Sequence, residues 1–310
     1  MPKAELKAED FIVPLNINGL EGRMLRLPAQ KASQPEILFI YGQHSSLERW
    51  WGLALELNKL GPITMPDLPG FGGMQSLYKI GKTASVDDLA DYLAAFVKLK
   101  YRNKKFVIAG MSLGFVIVTR MLQKYPELTK KVEVLVSIVG LAHHDDFIFS
   151  PQRKRFYKYV TAVWSRKIPA TFFQAIFLQP FYLRRAYKHS RFAKEKLAQL
   201  SGDEFKRTMD TEIVLWRIND IRTQMKTNNE MFNLDNTKVR VDLPVWHVGS
   251  RKDRYFNHVR VEEHMRLIFS NFDMVYTKAP NHAPTIIATA KEAAPFVPPE
   301  IRRVIRKVKR

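Results

Sequence analysis

The 310-residue sequence predicts an α/β protein built on a mostly parallel β-sheet. Short continuous apolar runs alternate along the chain with segments whose apolar residues recur at helical spacing. The clearest runs are "FVIA" (106–109) and "VEVLVSIVG" (132–140), and such runs are typical of strands buried on both faces. Strands that alternate with helices form parallel sheets with right-handed crossovers, which gives the predicted class.

Composition fits a soluble globular protein. Hydrophobic residues make up 46% of the chain, enough for one large α/β domain or two ordinary ones. The absence of cysteine excludes disulfides and thiolate chemistry and favours a reducing compartment. The charged first ten residues do not resemble a signal peptide, and no run of about twenty apolar residues could span a membrane. We therefore expect a cytoplasmic protein.

The formal net charge of +20 permits nucleic acid, an anionic membrane or an acidic molecule as a partner. A solvated basic surface that has no specific partner also explains the charge, and we prefer that explanation. No zinc-finger, helix-turn-helix or RNA-binding aromatic motif accompanies the charge, so nucleic acid is not expected.

The amino-terminal elements follow from turn signals and periodicity. Residues 11–28 predict a β-hairpin that turns at Asn18-Gly19. The elements expected next are a strand over 36–42, a helix over 47–60, a strand from Ile63 and a helix over 86–100.

The stretch "KKFVIAGMSLGFVIVTRMLQKYPE" (104–127) predicts a strand, a tight turn and a helix. Gly110 and Gly114 flank Ser112, and glycine lacks the Cβ atom that would block so tight a turn. The turn would expose Ser112 at the end of a strand, the context expected of a nucleophilic serine. A serine that merely caps the helix is the alternative.

From about Asp145 to Asp235 no β-run appears, and aromatic and basic residues are concentrated there. We call residues 145–235 the inserted segment and predict that it is helical, with Ser150-Pro151 starting its first helix. Two stripes of apolar residues at helical spacing predict helices that pack together. The first stripe comprises Val214, Ile218, Ile221 and Met225, and the second comprises Phe205, Met209, Ile213 and Trp216. Six aromatic residues either line an apolar pocket or form the segment's own core, namely Phe156, Trp164, Phe172, Phe173, Phe177 and Phe181.

After the inserted segment the alternation resumes. Strands are predicted over 243–250 and 272–280, with a helix over 259–269 between them and a last helix from Pro284. His282 directly follows the last strand, at the sheet edge where Ser112 also emerges, so we predict that it is the base that activates Ser112.

The remaining candidates have structural explanations. His247 lies in a strand, His258 and His264 on or near a helix, and His189 in the inserted segment. A carboxylate must orient the histidine, and we expect Asp253, just beyond the preceding strand, to do so. An ion pair at the protein surface would also explain an aspartate at this position.

Asp145 and Asp146 compete with Asp253 for the role of the acid. The run "HHDD" (143–146) also suggests metal ligands, but adjacent residues rarely converge on one ion. We therefore interpret residues 143–146 as a hinge that leads into the inserted segment rather than as a metal site.

The chain order Ser112, Asp253, His282 resembles that of the α/β-hydrolase superfamily, in the type with a helical cap after the sixth strand. The resemblance extends from about Phe11 to Val297 and includes "FIYGQHSSLERW" and "DLPGFGG" (67–73). It implies an eight-stranded sheet, a core formed by residues 1–144 and 236–297, and a cap at 145–235. Residues 298–310 would then form a basic tail.

The resemblance implies a serine hydrolase that cleaves an ester or related acyl bond of a small molecule. Ser112 would be the nucleophile, His282 the base and Asp253 the orienting acid, with the backbone amides of Gln43 and Leu113 as oxyanion hole. It implies no metal and no organic cofactor. Tyr41 departs from the family's usual histidine, which leaves the subfamily open.

Three other functions remain open. An acyltransferase would use the same triad and pass the acyl group to an acceptor other than water. A non-catalytic binding protein would use the fold alone, and a membrane-surface module would use the charge.

The carboxyl-terminal stretch "EIRRVIRKVKR" is basic and amphipathic. Ile301, Val304, Ile305 and Val308 stand at i, i+3, i+4 and i+7, so a helix would carry one apolar stripe among bases. Such a helix would lie on an anionic membrane, or it would pack on the protein's own body or fray.

Overall fold

The computed structural model describes residues 6–189, 202–279, 282–284 and 289–308, with the backbone alone for 187–189. Its strands form one eight-stranded sheet in the order β1-β2-β4-β3-β5-β6-β7-β8. The strands are β1 (Ile12–Ile17), β2 (Leu20–Leu27), β3 (Ile37–Ile40), β4 (Ile63–Pro66), β5 (Phe106–Met111), β6 (Val132–Ile138), β7 (Val241–Gly249) and β8 (Phe269–Tyr276). Strands β3 to β8 are parallel, whereas β2 is antiparallel to both β1 and β4. The predicted mostly parallel α/β class is confirmed.

Helices flank this sheet. The described α-helices are α1 (Trp51–Asn58), α2 (Val86–Lys100), α3 (Leu113–Lys124), α4 (Pro151–Trp164), α5 (Lys167–Phe177), α6 (Pro180–His189), α7 (Gly202–Ile218), α8 (Ile221–Met231), α9 (His258–Ile268), α10 (Ala290–Ala293) and α11 (Pro299–Lys307). Helix α2 has the predicted bounds and begins after Ser85, whose side chain accepts a hydrogen bond from the amide of Asp88.

The amino-terminal hairpin turns where the sequence predicts. Asn18 and Gly19 both have positive φ angles, 52° and 77°, and join β1 to β2. Two positive φ angles give a turn whose twist matches that of the paired strands, so the Asn-Gly pair sets the register of the hairpin.

The centre of the sheet is fully buried. Every residue of β3 and of β5 is buried, and α2 and α3 pack against each other beside the sheet. Burial on both faces explains why these strands are continuous apolar runs rather than alternating ones.

Between β6 and β7 lie the helices α4 to α8 of the inserted segment. Helices α5 to α8 share a small apolar cluster formed by Ala170, Leu178, Leu183, Ile213 and Ile221. This cluster is separate from the main core, so the segment has limited packing of its own.

The predicted stripe from Val214 to Met225 is wrong as a continuous helical face. Helix α7 ends at Ile218, and Asp220 starts α8 by accepting a hydrogen bond from the amide of Thr223 at 2.6 Å. Val214 is 51% exposed. Aspartate is favoured at helix N-caps, so a new helix starts at Asp220 although the apolar spacing suggests one continuous helix.

The six aromatic residues of the inserted segment also differ from expectation. Phe173 packs beside the small cluster and against Trp164, with ring centroids 4.8 Å apart. The other four, Phe156, Phe172, Phe177 and Phe181, are exposed. Side chains exposed to this extent do not form a buried core of the segment, so that alternative is wrong for these four residues.

The carboxyl-terminal stripe packs on the protein's own body. Ile301 and Ile305 are fully buried, and Arg302 contacts Glu56 of α1 at 2.7 Å. The apolar stripe of α11 is therefore covered by the core.

Parts of several expectations lie outside the described residues. They are residues 1–5 of the expected core, residues 190–201 of the inserted segment with the side chain of His189, Pro280 of the expected last strand, residues 285–288 of the helix expected from Pro284, and Lys309 and Arg310 of the basic tail. In the part of the chain that is described, we find no helix with the length and apolar character needed to cross a bilayer.

Candidate active site

Ser112 lies at a strained turn between β5 and α3. Its φ and ψ angles are 49° and −118°, a conformation that non-glycine residues rarely adopt. The backbone is held from two sides, because the amide of Ser112 donates to the carbonyl of Ile138 and its own carbonyl accepts from the amide of Phe115. The turn leaves the serine partly exposed above the sheet.

The flanking glycines are required by close packing. A Cβ atom at Gly114 would collide with the carbonyl oxygens of Ile40 and Tyr41 at the end of β3. Helix α3 can therefore start against β3 only if this position lacks a side chain.

His282 and Asp253 meet at the same edge of the sheet. The Nδ1 atom of His282 lies 2.7 Å from Oδ2 of Asp253. The other oxygen of Asp253 accepts hydrogen bonds from the amides of Tyr255 at 2.8 Å and Phe256 at 3.2 Å. The carboxylate is thus fixed by the loop that follows β7 and is 5% exposed.

The second ring nitrogen of His282 faces the serine. Its Nε2 atom lies 3.4 Å from Oγ of Ser112. The imidazole makes edge contacts with the rings of Tyr255 and Phe256, both with centroids 5.1 Å away. A distance at the long end of hydrogen bonding is common before substrate binds, since catalytic hydrogen bonds tighten in the complex. The structure brings together the three predicted side chains in the order serine, histidine, carboxylate.

The predicted oxyanion donors border Ser112. A Cβ atom at Gly42 would lie 3.2 Å from the Cβ atom of Ser112, so the loop carrying Gln43 runs directly beside the serine. Leu113 is the first residue of α3, where backbone amides have no acceptor within the helix. The positive end of the helix dipole also points toward this region.

Tyr41, where the family usually has histidine, ties two loops together. Its hydroxyl donates to Oδ1 of Asp67 at 2.7 Å and accepts from the amide of Leu68 at 3.0 Å. Burial raises the pKa of Asp67 to about 8, although Arg23 lies 3.2 Å away and opposes the shift. The departure at Tyr41 is therefore accommodated by a buried hydrogen-bond network behind the loop.

A family model described as the alpha/beta hydrolase fold matches residues 35–279, most of the chain. The chain belongs to the α/β-hydrolase family. This α/β hydrolase has no significant match among curated protein sequences.

Solved structures share its fold at low identity. An esterase from Thermogutta terrifontis is 15% identical, with a TM-score of 0.61 over 96% of this chain and 97% of the other. An N-formylmaleamic acid deformylase from Pseudomonas putida S16 is 14% identical, with a TM-score of 0.62 over 87% of this chain and 94% of the other. An N-acyl homoserine lactonase is 14% identical, with a TM-score of 0.62 over 96% and 98%. At these identities the likeness concerns the fold.

The competing acids of the α/β hydrolase have other partners. Asp146 is fully buried, accepts from the amides of Ala142 and His143, and bonds Nδ1 of His264 at 2.5 Å. Asp145 pairs with Lys154 at 2.9 Å. Both carboxylates hold the start of the inserted segment and lie in a different loop from the one that fixes His282.

The same loop contains a cluster that could be considered for a metal ion. One ligand atom each of His143, His144 and Asp145 lies within 4.8 Å of the others, so these adjacent residues do converge, contrary to the sequence argument. However, Lys154 occupies one oxygen of Asp145, and the amide of Asp145 donates to Nδ1 of His143 at 3.2 Å. Burial and the neighbouring His144 and His264 lower the pKa of His143. Because two of the three groups are engaged, the cluster fits a hinge better than a cation site.

Sequence reasoning missed a polar contact between the inserted segment and the loop after β3. His44 Nε2 lies 3.1 Å from Oε2 of Glu212 on α7. The side chain of Gln43 donates to the carbonyl of Gln224 at 2.8 Å and accepts from the hydroxyl of Thr227 at 3.0 Å. These contacts join residues about 180 positions apart in the chain, and no pattern in the sequence predicts them. The positive φ of His44, 52°, is equally invisible in the sequence.

Proposed function

We propose that this α/β hydrolase is a serine hydrolase that cleaves an ester or related acyl bond of a small molecule. The observation that carries the proposal is the connected chain of Ser112, His282 and Asp253, with a 3.4 Å and a 2.7 Å contact, on a strained turn. The serine needs such a base because a free hydroxyl is a weak nucleophile at neutral pH.

The mechanism begins when His282 Nε2 takes the proton of Ser112 as Oγ attacks the acyl carbon. Negative charge develops on the former carbonyl oxygen, where the amides of Gln43 and Leu113 stabilise it. His282 then gives its proton to the leaving alcohol, and an ester of Ser112 remains. Water, deprotonated by His282, attacks that ester and releases the carboxylic acid and the free serine.

Asp253 supports both proton transfers. Its Oδ2 atom accepts from Nδ1 of His282, which leaves Nε2 free to accept the serine proton and stabilises the imidazolium that forms. The two backbone amides on Oδ1 keep the carboxylate in that orientation.

A second serine–histidine pair explains why Ser112 alone is assigned this role. Ser137 Oγ lies only 2.8 Å from Nδ1 of His247, which is shorter than the contact at Ser112. Both residues are buried in strands β6 and β7, and burial lowers the pKa of His247 to about 4. Ser137 is fully buried, so a substrate cannot reach its hydroxyl.

The inserted segment would act as a cap over this site. Its helices α7 and α8 bond directly to Gln43 and His44, next to the proposed oxyanion hole. We therefore assign residues 1–144 and 236–297 to the catalytic core and residues 145–235 to the cap. Small esters fit the proposal best, in keeping with the esterase and the lactonase among the similar structures.

Labelling with a fluorophosphonate probe tests the proposal, since the probe reacts only with an activated serine beside an oxyanion hole. We expect mass spectrometry to locate the adduct on Ser112, and Ser112→Ala to lose both labelling and turnover of p-nitrophenyl acetate. Ser137→Ala is the matched control, because it removes the other histidine-bonded serine and should keep both. Labelling of Ser112→Ala at the wild-type level would contradict the proposal.

A further inference from the structure

The exposed aromatic residues of the described chain are concentrated in one region. All seven aromatic residues among the exposed large hydrophobic side chains lie in the inserted segment, and they are Phe156, Tyr159, Phe172, Phe177, Phe181, Tyr182 and Phe205. Single exposed apolar residues are normal on a protein surface, but a concentration of large ones marks an interaction site.

Helix α5 carries the most continuous part of this surface. Ile168, Phe172 and Ile176 are 82%, 54% and 36% exposed and recur every four residues, so they form one stripe along the helix. We call these three residues the α5 stripe. Ala170 and Phe173 lie on the other side and pack with the small cluster of the inserted segment. A helix that is apolar on opposite sides is normally covered on both.

The residues after the α5 stripe extend its character. Helix α6 follows α5 after Leu178 and Gln179, and its first aromatic residues, Phe181 and Tyr182, are 68% and 48% exposed. Leu183 is buried in the small cluster, which anchors α6 to the segment while these rings stay outside. Aromatic rings of this kind are favoured at the boundary between water and lipid.

The charged residues of the stretch that contains the α5 stripe are all basic. Residues 151–189 contain nine lysines and arginines and no aspartate or glutamate, in a protein with a net charge of +20. Three of these bases are exposed, Arg155 on α4 and Arg166 and Lys167 at the start of α5. Arg184 pairs with Asp210 on α7, so part of the charge is compensated from outside this stretch.

We propose that the α5 stripe docks on the surface of an anionic phospholipid bilayer. Basic side chains attract the lipid headgroups, and the isoleucine and phenylalanine side chains enter the boundary between headgroups and acyl chains. Lysine and arginine are the only charged residues in the stretch 151–189 that carries the α5 stripe, and this single sign of charge matches the negative headgroups of an anionic bilayer. The proposal depends on the surface alone and stands apart from the proposed catalysis.

The C-terminal helix offers a charge-matched control. It contains three exposed bases, but its apolar stripe is buried against the core. If charge alone drives binding, removing three bases there should matter as much as removing three near the α5 stripe. If the stripe locates the binding, only the second change should matter.

Vesicle flotation tests the proposal with the full chain. We expect the wild-type protein to float with mixed phosphatidylcholine and phosphatidylglycerol vesicles at low salt, but not with pure phosphatidylcholine, and to dissociate as salt rises. Binding should fall at least about tenfold in the apolar variant Ile168→Ser/Phe172→Ser and in the basic variant Arg155→Ala/Arg166→Ala/Lys167→Ala. The controls should change it less than about threefold: Val259→Ser/Leu267→Ser removes two half-exposed apolar side chains of α9, and Arg303→Ala/Arg306→Ala/Lys307→Ala removes the same charge as the basic variant.

Three results would overturn the proposal. The first is no flotation of the wild-type protein at low salt, and the second is an equal loss in the two basic variants. The third is a concentration-dependent dimer, seen by analytical ultracentrifugation and abolished by Ile168→Ser/Phe172→Ser, which would make the stripe a contact between two copies. Turnover of a soluble ester is measured separately, so a failure of catalysis leaves this test unaffected.

Discussion

Phe106 and Phe115 of the core are completely buried, whereas Phe156 and Phe181 of the inserted segment keep 61% and 68% of their surface exposed. The core buries both faces of its central strands, while helices α5 to α8 of the segment share only a small cluster and the two ends of the segment pack into the main core through Phe147 and Phe232. A small unit has too little interior to cover its large side chains. The two regions therefore differ in what packing does: the packed core fixes the distances between Ser112, His282 and Asp253, and the segment presents apolar surface to the outside.

The largest expected effect tests whether the chemistry belongs to the core. If the proposed triad operates, Asp253→Asn should reduce turnover by about 10⁴, as the same change does in a known Ser-His-Asp triad, because an amide favours the wrong tautomer of His282. Asp145→Asn and Asp146→Asn should stay within about tenfold, since these carboxylates hold the start of the inserted segment. Steady-state kinetics on a soluble ester, with folding checked by circular dichroism, gives the ranking.

The opposite ranking would be equally informative. If Asp145→Asn or Asp146→Asn were crippled while Asp253→Asn remained active, the orienting acid would lie after β6. The 2.7 Å contact between Asp253 and His282 would then be a surface ion pair without a catalytic role.

A second pair of variants compares buried and exposed isoleucine. Ile305→Ala should cost about 2–5 kcal/mol of unfolding free energy, because it leaves a cavity under a fully buried side chain of α11. Ile168→Ala should change stability by less than about 0.5 kcal/mol, since Ile168 is 82% exposed. Urea unfolding measures both, and a large loss for Ile168→Ala would mean that the α5 stripe is covered by the protein itself.

The sequence predicted the core better than the inserted segment because the core is more completely buried. Buried strands such as β5 leave continuous apolar runs, and the glycines around Ser112 mark a turn that allows no side chain. The proximity of His282 to Ser112 follows from their positions after parallel strands of one sheet. Its catalytic role stays a prediction.

Other features had no local signal. Apolar periodicity predicts which residues share a helix face but not whether anything covers that face, so the exposure of Phe172 and Phe181 was missed. The contact between His44 and Glu212 joins residues 168 positions apart and depends on how the inserted segment is placed on the core. The strand order, in which β4 lies between β2 and β3, is likewise a long-range property.

A third prediction concerns pH and the buried pair of Ser137 and His247. Burial lowers the pKa of His247 to about 4, below its usual 6.5. Between these values the unfolded chain binds more protons, so this histidine makes stability rise with pH from about 4 to 6.5 and fall as pH drops through that window. The full difference amounts to about 3 kcal/mol.

His247→Asn should flatten that slope, because its amide can still bond Ser137 but does not titrate. Asp67 acts in the opposite direction, since its raised pKa makes stability fall as pH rises from about 4 to 8. The measurement is therefore the difference in urea midpoint between variant and wild type across pH 4 to 7. His258→Asn, at the start of α9, is the control, and equal slopes for His247→Asn and the wild type would contradict the assignment.

The smallest expected effect tests whether the two regions are coupled at the site. Thr227 of α8 donates a 3.0 Å hydrogen bond to the side chain of Gln43, whose backbone amide is a proposed oxyanion donor. Thr227→Val keeps the shape but removes the hydroxyl, so the loop after β3 loses one restraint, and one such hydrogen bond corresponds to a change of up to about tenfold. We expect kcat to fall by about three- to tenfold while Ser112 is still labelled by the fluorophosphonate, since the serine and its base are untouched.

Thr171→Val is the control, because that hydroxyl bonds only the carbonyl of Lys167 within α5. If kcat of Thr227→Val equals that of the wild type, the core alone holds the oxyanion loop, and the inserted segment contributes surface but no catalytic geometry.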